Sequence, residues 1–323
     1  MKKLISVFLA IVLIALSTLT FTSCGKKTDG QINVATLNGT TGFGMVPLMK
    51  ESDLGNTSNK YVFSVETDPS VVMAGLINGT IDIAALPTNA AANLYNKTNG
   101  GVQIIAINTL GVLYLLTNGI NVSSISDLEG KTVYCPAQNP AFITKYIIKE
   151  NNLENKVTVD STTYATADAL RAAVIAGEVE LAILPEPMVT IVKSNNANVK
   201  VALDLTEEWN KVSDGKQLVQ GCVVVRKEFA DNYPGSVKEF LKEYEASIEF
   251  VNEDPETAAL YIKEFGIFAN DKVAKNAIPK CNIAYLDGKD MKEAMEAFIE
   301  AMNSVAPASI GNAIPGEDFY YGA

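Results

Sequence analysis

The feature that most constrains this chain is an internal repeat. Residues 72–87, VMAGLINGTIDIAALP, align without gaps on residues 170–185, LRAAVIAGEVELAILP, at a constant offset of 98. Each copy reads as a helix with apolar residues at helical spacing, a glycine stop, an acid, a short apolar strand and a proline. Upstream of each copy an apolar strand opens into a polar loop and a helix: Ile32–Leu37 before Asn38-Gly39-Thr40-Thr41-Gly42, and Thr132–Cys135 before Pro136-Ala137-Gln138-Asn139. Strands alternating with helices of this length predict parallel sheets covered on both faces, and a unit occurring twice predicts two similar α/β lobes.

Two further segments place the lobe boundaries. Ile104–Leu116 is rich in β-branched and apolar residues, and Cys222–Val225 is a second short strand. Taken as the two crossings, they make residues 118–225 an inserted lobe 2 and leave residues 31–117 with 226–323 as lobe 1. The last third reads as helical. Ser236 with Glu239 forms a capping-box pattern before the stripe Val237, Phe240, Leu241, Tyr244, Ile248, Val251, and Asp254-Pro255 opens the next helix. The stripe Met291, Ala294, Met295, Phe298, Ile299, Met302 reads as core, and 307–323 as a wrapping tail.

The N-terminus carries two lysines, an apolar run from Leu4 to Leu16 and then Phe21-Thr22-Ser23-Cys24-Gly25. The apolar run is shorter than the roughly 20 residues that span a bilayer, so residues 1–23 read as a secretory signal peptide. Ser-Cys-Gly resembles the lipobox of bacterial lipoproteins, which makes Cys24 the expected lipidation site. Residues 24–30 are then expected to be a polar tether. The full chain has a net charge of −11, and losing the two leader lysines makes it −13. Such an acidic body is a poor partner for nucleic acid or an anionic membrane surface, so membrane association is expected through the lipid anchor alone. The 323 residues contain no histidine and, by count, only Arg171 and Arg226 as arginines. Histidine-based acid–base chemistry and histidine metal sites are thereby excluded. Cys135, Cys222 and Cys281 match no zinc spacing; buried free thiols are the simpler reading, with a Cys135–Cys222 disulfide the alternative.

The Gly42-Phe43-Gly44 loop, the stretch Gly79–Ala84, the segment Ser126-Asp127-Leu128-Glu129-Gly130-Lys131-Thr132-Val133 and the turn Leu184-Pro185-Glu186-Pro187 together resemble the nitrate/sulfonate/taurine-type solute-binding proteins of ABC importers. The resemblance spans nearly the whole mature chain. It implies the type II periplasmic-binding-protein fold, two α/β lobes joined by a two-strand hinge, and a monomeric extracytoplasmic receptor that passes a small-molecule solute to ABC permease and ATPase subunits. No cofactor, metal or catalytic residue is implied. The chain departs from the family in having no tryptophan at the Glu-Pro turn; its only one is Trp209. A ligand sensor subunit would share these features. The fold also hosts enzymes, including some acting on menaquinone precursors, and a lyase using Asp68 or Glu186 is the remaining alternative, disfavoured by the lipoprotein leader.

Ligands of open α/β sheets sit beyond the carboxyl ends of the strands. Four turns meet that description. In lobe 1 these are Asn38, Thr40, Thr41 and Phe43, then Pro87, Thr88 and Asn89; in lobe 2, Gln138 and Asn139, then Glu186. The repeat sets the two pairs facing each other. Asp68, Ser70 and Tyr114 are further ligand-binding candidates. A free Glu186 carboxylate would accept bonds from an amine or ring N–H, whereas helix N-termini would favour a sulfonate or other oxyanion.

Overall fold

The computed structural model describes residues 25–323; the expected signal peptide and Cys24 lie outside the described residues. In chain order the first part of lobe 1 comprises β1 (Gln31–Leu37), α1 (Thr40–Phe43), α2 (Val46–Asp53), β2 (Lys60–Glu66), α3 (Pro69–Asn78), β3 (Ile83–Pro87), α4 (Thr88–Thr98) and β4 (Val102–Leu110). Lobe 2 follows with β5 (Leu113–Asn118), β6 (Thr132–Tyr134), α5 (Asn139–Glu150), β7 (Thr158–Asp160), α6 (Ala167–Ala176), β8 (Leu181–Pro185), α7 (Met188–Asn195), β9 (Val199–Asp204) and α8 (Leu205–Val212). The chain returns through β10 (Val219–Arg226), α9 (Lys227–Asn232), α10 (Pro234–Glu253), α11 (Pro255–Glu264), α12 (Asp271–Ala277), β11 (Ile283–Leu286) and α13 (Gly288–Val305).

The 98-residue offset holds at every boundary of the repeated unit. Helix α3 and strand β3 map onto α6 and β8 residue for residue. Their N-caps are Asp68 and Thr166, and their C-caps Gly79 and Gly177 share φ 79°. That left-handed conformation strains any residue with a Cβ, which is why both copies carry glycine there.

Sheet order extends the correspondence beyond the repeat. One sheet runs β11-β4-β10-β3-β1-β2 and the other, read in the same sense, β9-β5-β8-β6-β7. The sheets are mixed, not purely parallel as the alternation of strands and helices predicts. In the first, β10 runs antiparallel to both β3 and β4; in the second, β5 runs antiparallel to β8 and β9. The cause is the crossing itself. A strand arriving from the other lobe enters at the carboxyl edge of the parallel strands and must run back against them.

Strand membership also shifts the expected boundaries. β5 pairs inside the second sheet, so the 117/118 boundary falls near the end of that strand, while the chain crosses earlier, at Gly111–Val112. β10 pairs inside the first sheet, so the return crossing precedes Val219 and the 225/226 boundary comes late.

Alternate residues cover the two faces of each sheet. In lobe 1, Ile83, Ala85, Val223 and Val225 pack with Phe240, Tyr244 and Ile248, while Ala84, Leu86, Cys222 and Val224 face the other way into a second cluster. This second cluster continues into lobe 2 through Leu115, Val133 and Ile183. Its centre is Trp209 on α8, fully buried, with ring centroids 4.8 Å from Tyr146 of α5 and 6.3 Å from Phe298 of α13. The methionine stripe of α13 is core, as its spacing predicts.

Two local expectations fail. Helix α10 begins at Pro234, so Ser236 lies inside its first turn and is no N-cap; its hydroxyl accepts from the Thr28 amide at 3.0 Å. Residues 25–30 are correspondingly docked against that turn instead of forming a free tether. Asp254 does cap α11, accepting from Thr257 N at 3.0 Å. Cys135, Cys222 and Cys281 are buried free thiols, so no disulfide joins the first two.

Because Trp209 fills the space between elements of both lobes, Trp209→Ala should cost about 3–5 kcal/mol, the range for emptying a buried aromatic site. Urea unfolding checks this as a lowered midpoint; an unchanged midpoint would show that the lobes do not share this core.

Candidate functional site

The two sheets meet at the carboxyl edges of their parallel strands, and a short network of hydrogen bonds fixes the turns there. Thr88 Oγ1 donates to Val219 O at 3.1 Å. The next residue, Gln220, accepts from Val112 N through Oε1 at 2.7 Å, and Glu186 N donates to Val112 O at 3.0 Å. Thr88 of the first repeat copy and the Glu186 turn of the second are therefore linked through both crossings.

The lobe 1 turns contribute unequally. Asn38 is exposed, and its amide donates to Glu66 O, tying the end of β1 to β2. Thr40 and Thr41 are half-buried in the short turn α1, where Thr41 O accepts from Asn108 Nδ2 at 3.1 Å. Phe43 does not reach a ligand surface: it is fully buried, edge-on to Phe268, because its position on α1 points into the lobe 1 core. Asp68 and Ser70 are exposed, and the Asp68 carboxylate accepts from Ser70 N at 2.8 Å as the cap of α3. That bond holds the Asp68 carboxyl below the usual range.

Pro87 ends β3 opposite Gly221, and Thr88 opens α4 with its hydroxyl already spent on Val219 O. Asn89, only 7% exposed, makes no side-chain hydrogen bond among the described residues. Its helix has Pro87 at the N-cap and no side-chain cap. The lobe 2 turn that corresponds to residues 38–43 also opens a helix without a side-chain cap. Gln138 is exposed with φ 67° at the uncapped start of α5, and Asn139, also 7% exposed, has a buried Oδ1 with no partner among the described residues.

Glu186 is 2% exposed and engaged with its own helix. Oε2 accepts from Thr190 N at 3.0 Å and Oε1 from Thr190 Oγ1 at 3.1 Å. Burial raises its pKa; the Thr190 bonds and the charges of Lys280 and Lys193 oppose that rise. Lobe 1 supplies Lys280 and Cys281 beside it: Tyr114 OH donates to Lys280 O at 3.0 Å, and Asn282 Nδ2 to Gly111 O at 2.5 Å. Tyr114 is half-buried, its phenol pushed up by desolvation first and by the Asp204 and Glu186 charges after it.

Gln220, Thr190, Lys280 and Asn282 were not singled out in the sequence. Only Thr190 carried a readable signal, as a hydroxyl four residues after an acid at a helix start. The others act through crossings and long-range contacts that no local pattern announces.

Chemically the edge is rich in amides and hydroxyls and poor in reactive groups. Burial pushes the Cys135 thiol up to about 12 and raises Cys222 and Cys281 as well, which leaves little thiolate at neutral pH. Among the described residues no group of three or more acidic or cysteine side chains is arranged to hold a metal ion.

Two sheets of matching strand order, joined by two crossings at their carboxyl edges, define the periplasmic-binding-protein fold. An ABC transporter protein from Parabacteroides distasonis has a TM-score of 0.76 at 23% identity, over 90% of this chain and 99% of that one. The periplasmic aliphatic sulphonate binding protein SsuA from Escherichia coli gives 0.70 at 11% identity, over 90% and 96%. The alkanesulfonate-binding protein SsuA from Xanthomonas axonopodis pv. citri, bound to MOPS, gives 0.64 at 10%, over 90% and 96%. Within this fold the chain belongs to the menaquinone biosynthesis family, whose model matches residues 43–303. That family differs from the sulfonate-receptor resemblance carried by the sequence motifs, although the solved sulfonate receptors share the fold. A search of curated proteins finds no match.

The raised Glu186 pKa has a signed consequence. Its folded value lies above the ordinary 4.5, so the fold prefers the neutral acid, and the stability this gives is lost as pH rises from 4.5 through the folded value. Urea unfolding of Glu186→Gln and the parent across pH 4 to 8 should show the variant gaining stability relative to the parent as pH rises. A pH-independent difference would show that Glu186 titrates normally.

Proposed function

We propose that this chain is the extracytoplasmic solute-binding lipoprotein of an ABC importer, which closes its two lobes on a small polar organic solute and presents it to a permease and ATPase. The observation that carries the reading is the pairing of carboxyl edges, one per lobe, each holding an uncapped helix start with a largely buried asparagine, of which Asn139 has a buried Oδ1 without a partner among the described residues. An unpaired buried acceptor is costly, and a solute N–H or O–H donated to Asn139 Oδ1 would relieve it. Contacts to both lobes favour the closed form over the open one, which is the differential affinity that closure requires.

The helix starts favour acceptor oxygens on the solute, whereas Asn139 Oδ1 calls for an N–H or O–H donor, so a solute carrying both fits best. The expectation of an amine rested on a free Glu186 carboxylate, and that carboxylate is occupied by Thr190. The starts of α4 and α5 instead offer backbone N–H groups and the positive ends of helix dipoles to a carboxylate, sulfonate or carbonyl. No arginine is needed. The anchor is assigned to Cys24 on the lipobox resemblance.

A second reading is favoured by one observation, the family match: a step of menaquinone biosynthesis carried out in the same cleft. Without histidine or an available thiolate, its acid–base group would be Glu186, which its bonds to Thr190 hold in place.

Calorimetry on the signal-free protein, with solutes first selected by thermal shift, tests both readings. Asn89→Ala and Asn139→Ala should each weaken the best ligand, a carboxylate or sulfonate that also carries an N–H or O–H donor, about 3- to 10-fold, the worth of one hydrogen bond. Unchanged affinity in both variants overturns this site, and chemical conversion of the bound solute, lost in Glu186→Gln, selects the enzymatic reading.

A further inference from the structure

The segment between the expected lipidation site and the first strand is built into lobe 1. Helix α10 starts with Tyr233 at its N-cap, without a side-chain cap, and Pro234 at its first position. The backbone of residues 25–30 supplies what is missing: Lys26 O accepts from Gly235 N at 3.0 Å. Thr28 N donates in return to Ser236 Oγ at 3.0 Å. Lys27 Nζ lies 3.0 Å from Glu239 Oε1, and Lys26 Nζ stands 5.1 Å from the Tyr233 ring centroid. Gly25 and Gly235 are in direct backbone contact. A Cβ on Gly235 would sit 2.0 Å from Gly25 O, and one on Gly25 would sit 2.7 Å from Gly235 N.

These contacts determine how much free chain an anchor would leave. Seven free residues would reach roughly 23 Å, whereas one residue step is about 3.8 Å. Gly25 is already docked, so one step is what separates the lobe from Cys24. The docking site lies where β1 begins and β10 has ended, at the edge of the first sheet away from the crossings.

We propose that residues 25–30 are a docked strap that seats lobe 1 on the lipid surface through the Tyr233–Ser236 turn, leaving lobe 2 as the lobe that swings. The membrane-seating half of this proposal rests on the lipoprotein reading; the strap itself does not. Charge is not the source of the orientation, since Lys26, Lys27 and Lys238 are mixed with Asp29 and Glu239 around the turn. The covalent anchor and the short connection are.

The test has two arms. In the first, trypsin acts at Lys26 and Lys27 of the folded chain. Cleavage should be about tenfold slower than in Gly235→Val, the protection expected of a segment that must open locally before it is cut. The three atoms nearest a Cβ at Gly235 all belong to the strap, so this substitution expels the strap and leaves lobe 1 intact. Ser236→Ala, which removes only the Thr28 bond, serves as a milder second variant with the same sign. Equal cleavage in parent and variants overturns the strap.

In the second arm, full-length acylated protein in vesicles carries a fluorophore at Lys238→Cys or Glu154→Cys, while headgroup-labelled lipid quenches. The native Cys135, Cys222 and Cys281 are buried and stay unlabelled. Quenching should be several-fold stronger at position 238, and a Gly-Ser insertion between Cys24 and Gly25 should erase the contrast while leaving the trypsin protection in place. Equal quenching at both positions without the insertion overturns the seating. A protein that is not acylated and does not associate with vesicles overturns the lipoprotein reading and the seating together, while the trypsin arm still decides the strap.

Discussion

The structure depends on the chain passing between its sheets at their carboxyl edges. Gly111 lies at the outward crossing, where a Cβ would sit 2.3 Å from Thr206 Oγ1 and 3.1 Å from Leu218 Cδ2. The two crossings are thus in contact, and any side chain at Gly111 would push them apart. Val112 joins them by donating to Gln220 and accepting from Glu186, whose side chain in turn secures the start of α7. From this point outward each sheet can be covered on both faces independently, but the turns that face each other cannot be moved independently. A binding site formed there has its two halves held in register by backbone hydrogen bonds, and its opening is restricted to rotations that keep those bonds.

The apolar contact behind the crossings adds a second restriction. Trp209 follows the last strand of lobe 2, yet it packs against Phe298 of lobe 1 and donates from Nε1 to Lys216 O at 3.0 Å. Burying a side chain of that size is worth several kcal/mol, more than the few kcal/mol that separate conformers of a mobile protein. A closure of the kind proposed would be easiest with this contact intact, the back of the molecule then acting as the pivot. The interlobe bonds at Tyr114 and Asn282 are single hydrogen bonds, each worth about 1 kcal/mol net, and are of the right size to be made and broken.

How much of this was readable in the sequence depends on the range of the interaction concerned. The repeat was readable because helix stops are local: Gly79 and Gly177 each end their helix within a few residues, whereas the matching N-caps Asp68 and Thr166 emerged only from the structure. Period and burial agreed for the stripes of α10 and α13 for the same reason. The antiparallel strands β5 and β10 were not readable, because nothing in a strand's composition records the lobe from which it arrives. Ser236 misled because a capping-box pattern is also what a buried hydroxyl near a helix start looks like; its partner, Thr28, is 208 residues away in sequence. Phe43 misled because a glycine-flanked aromatic fits a core as well as a ligand wall. Of the candidate residues, Asn89 and Asn139 end up largely buried at uncapped helix starts, Asn139 with an unpartnered Oδ1 among the described residues, whereas Glu186 and Asp68 are committed to capping.

That commitment bears on what the carboxyl edges would recognise under the proposed function. A carboxylate satisfied by its own helix presents reduced acceptor capacity and, with its pKa raised by burial, a reduced tendency to carry charge. The uncapped starts of α4 and α5 present the opposite character, since each carries amide donors that neither a side chain nor a strand has claimed. In a protein of net charge −11, with a more acidic mature form expected, an acceptor-bearing solute would approach against the overall field and be held by local dipoles that act over only a turn of helix. Affinity would then come from short, directed hydrogen bonds and would depend weakly on ionic strength, whereas a site built on arginine or lysine would weaken steeply with salt. Selectivity follows from the same arrangement: fixed amides in a closing, water-poor gap reward a ligand whose oxygens fall on both lobes, and leave one that reaches a single lobe with an unpaired partner opposite.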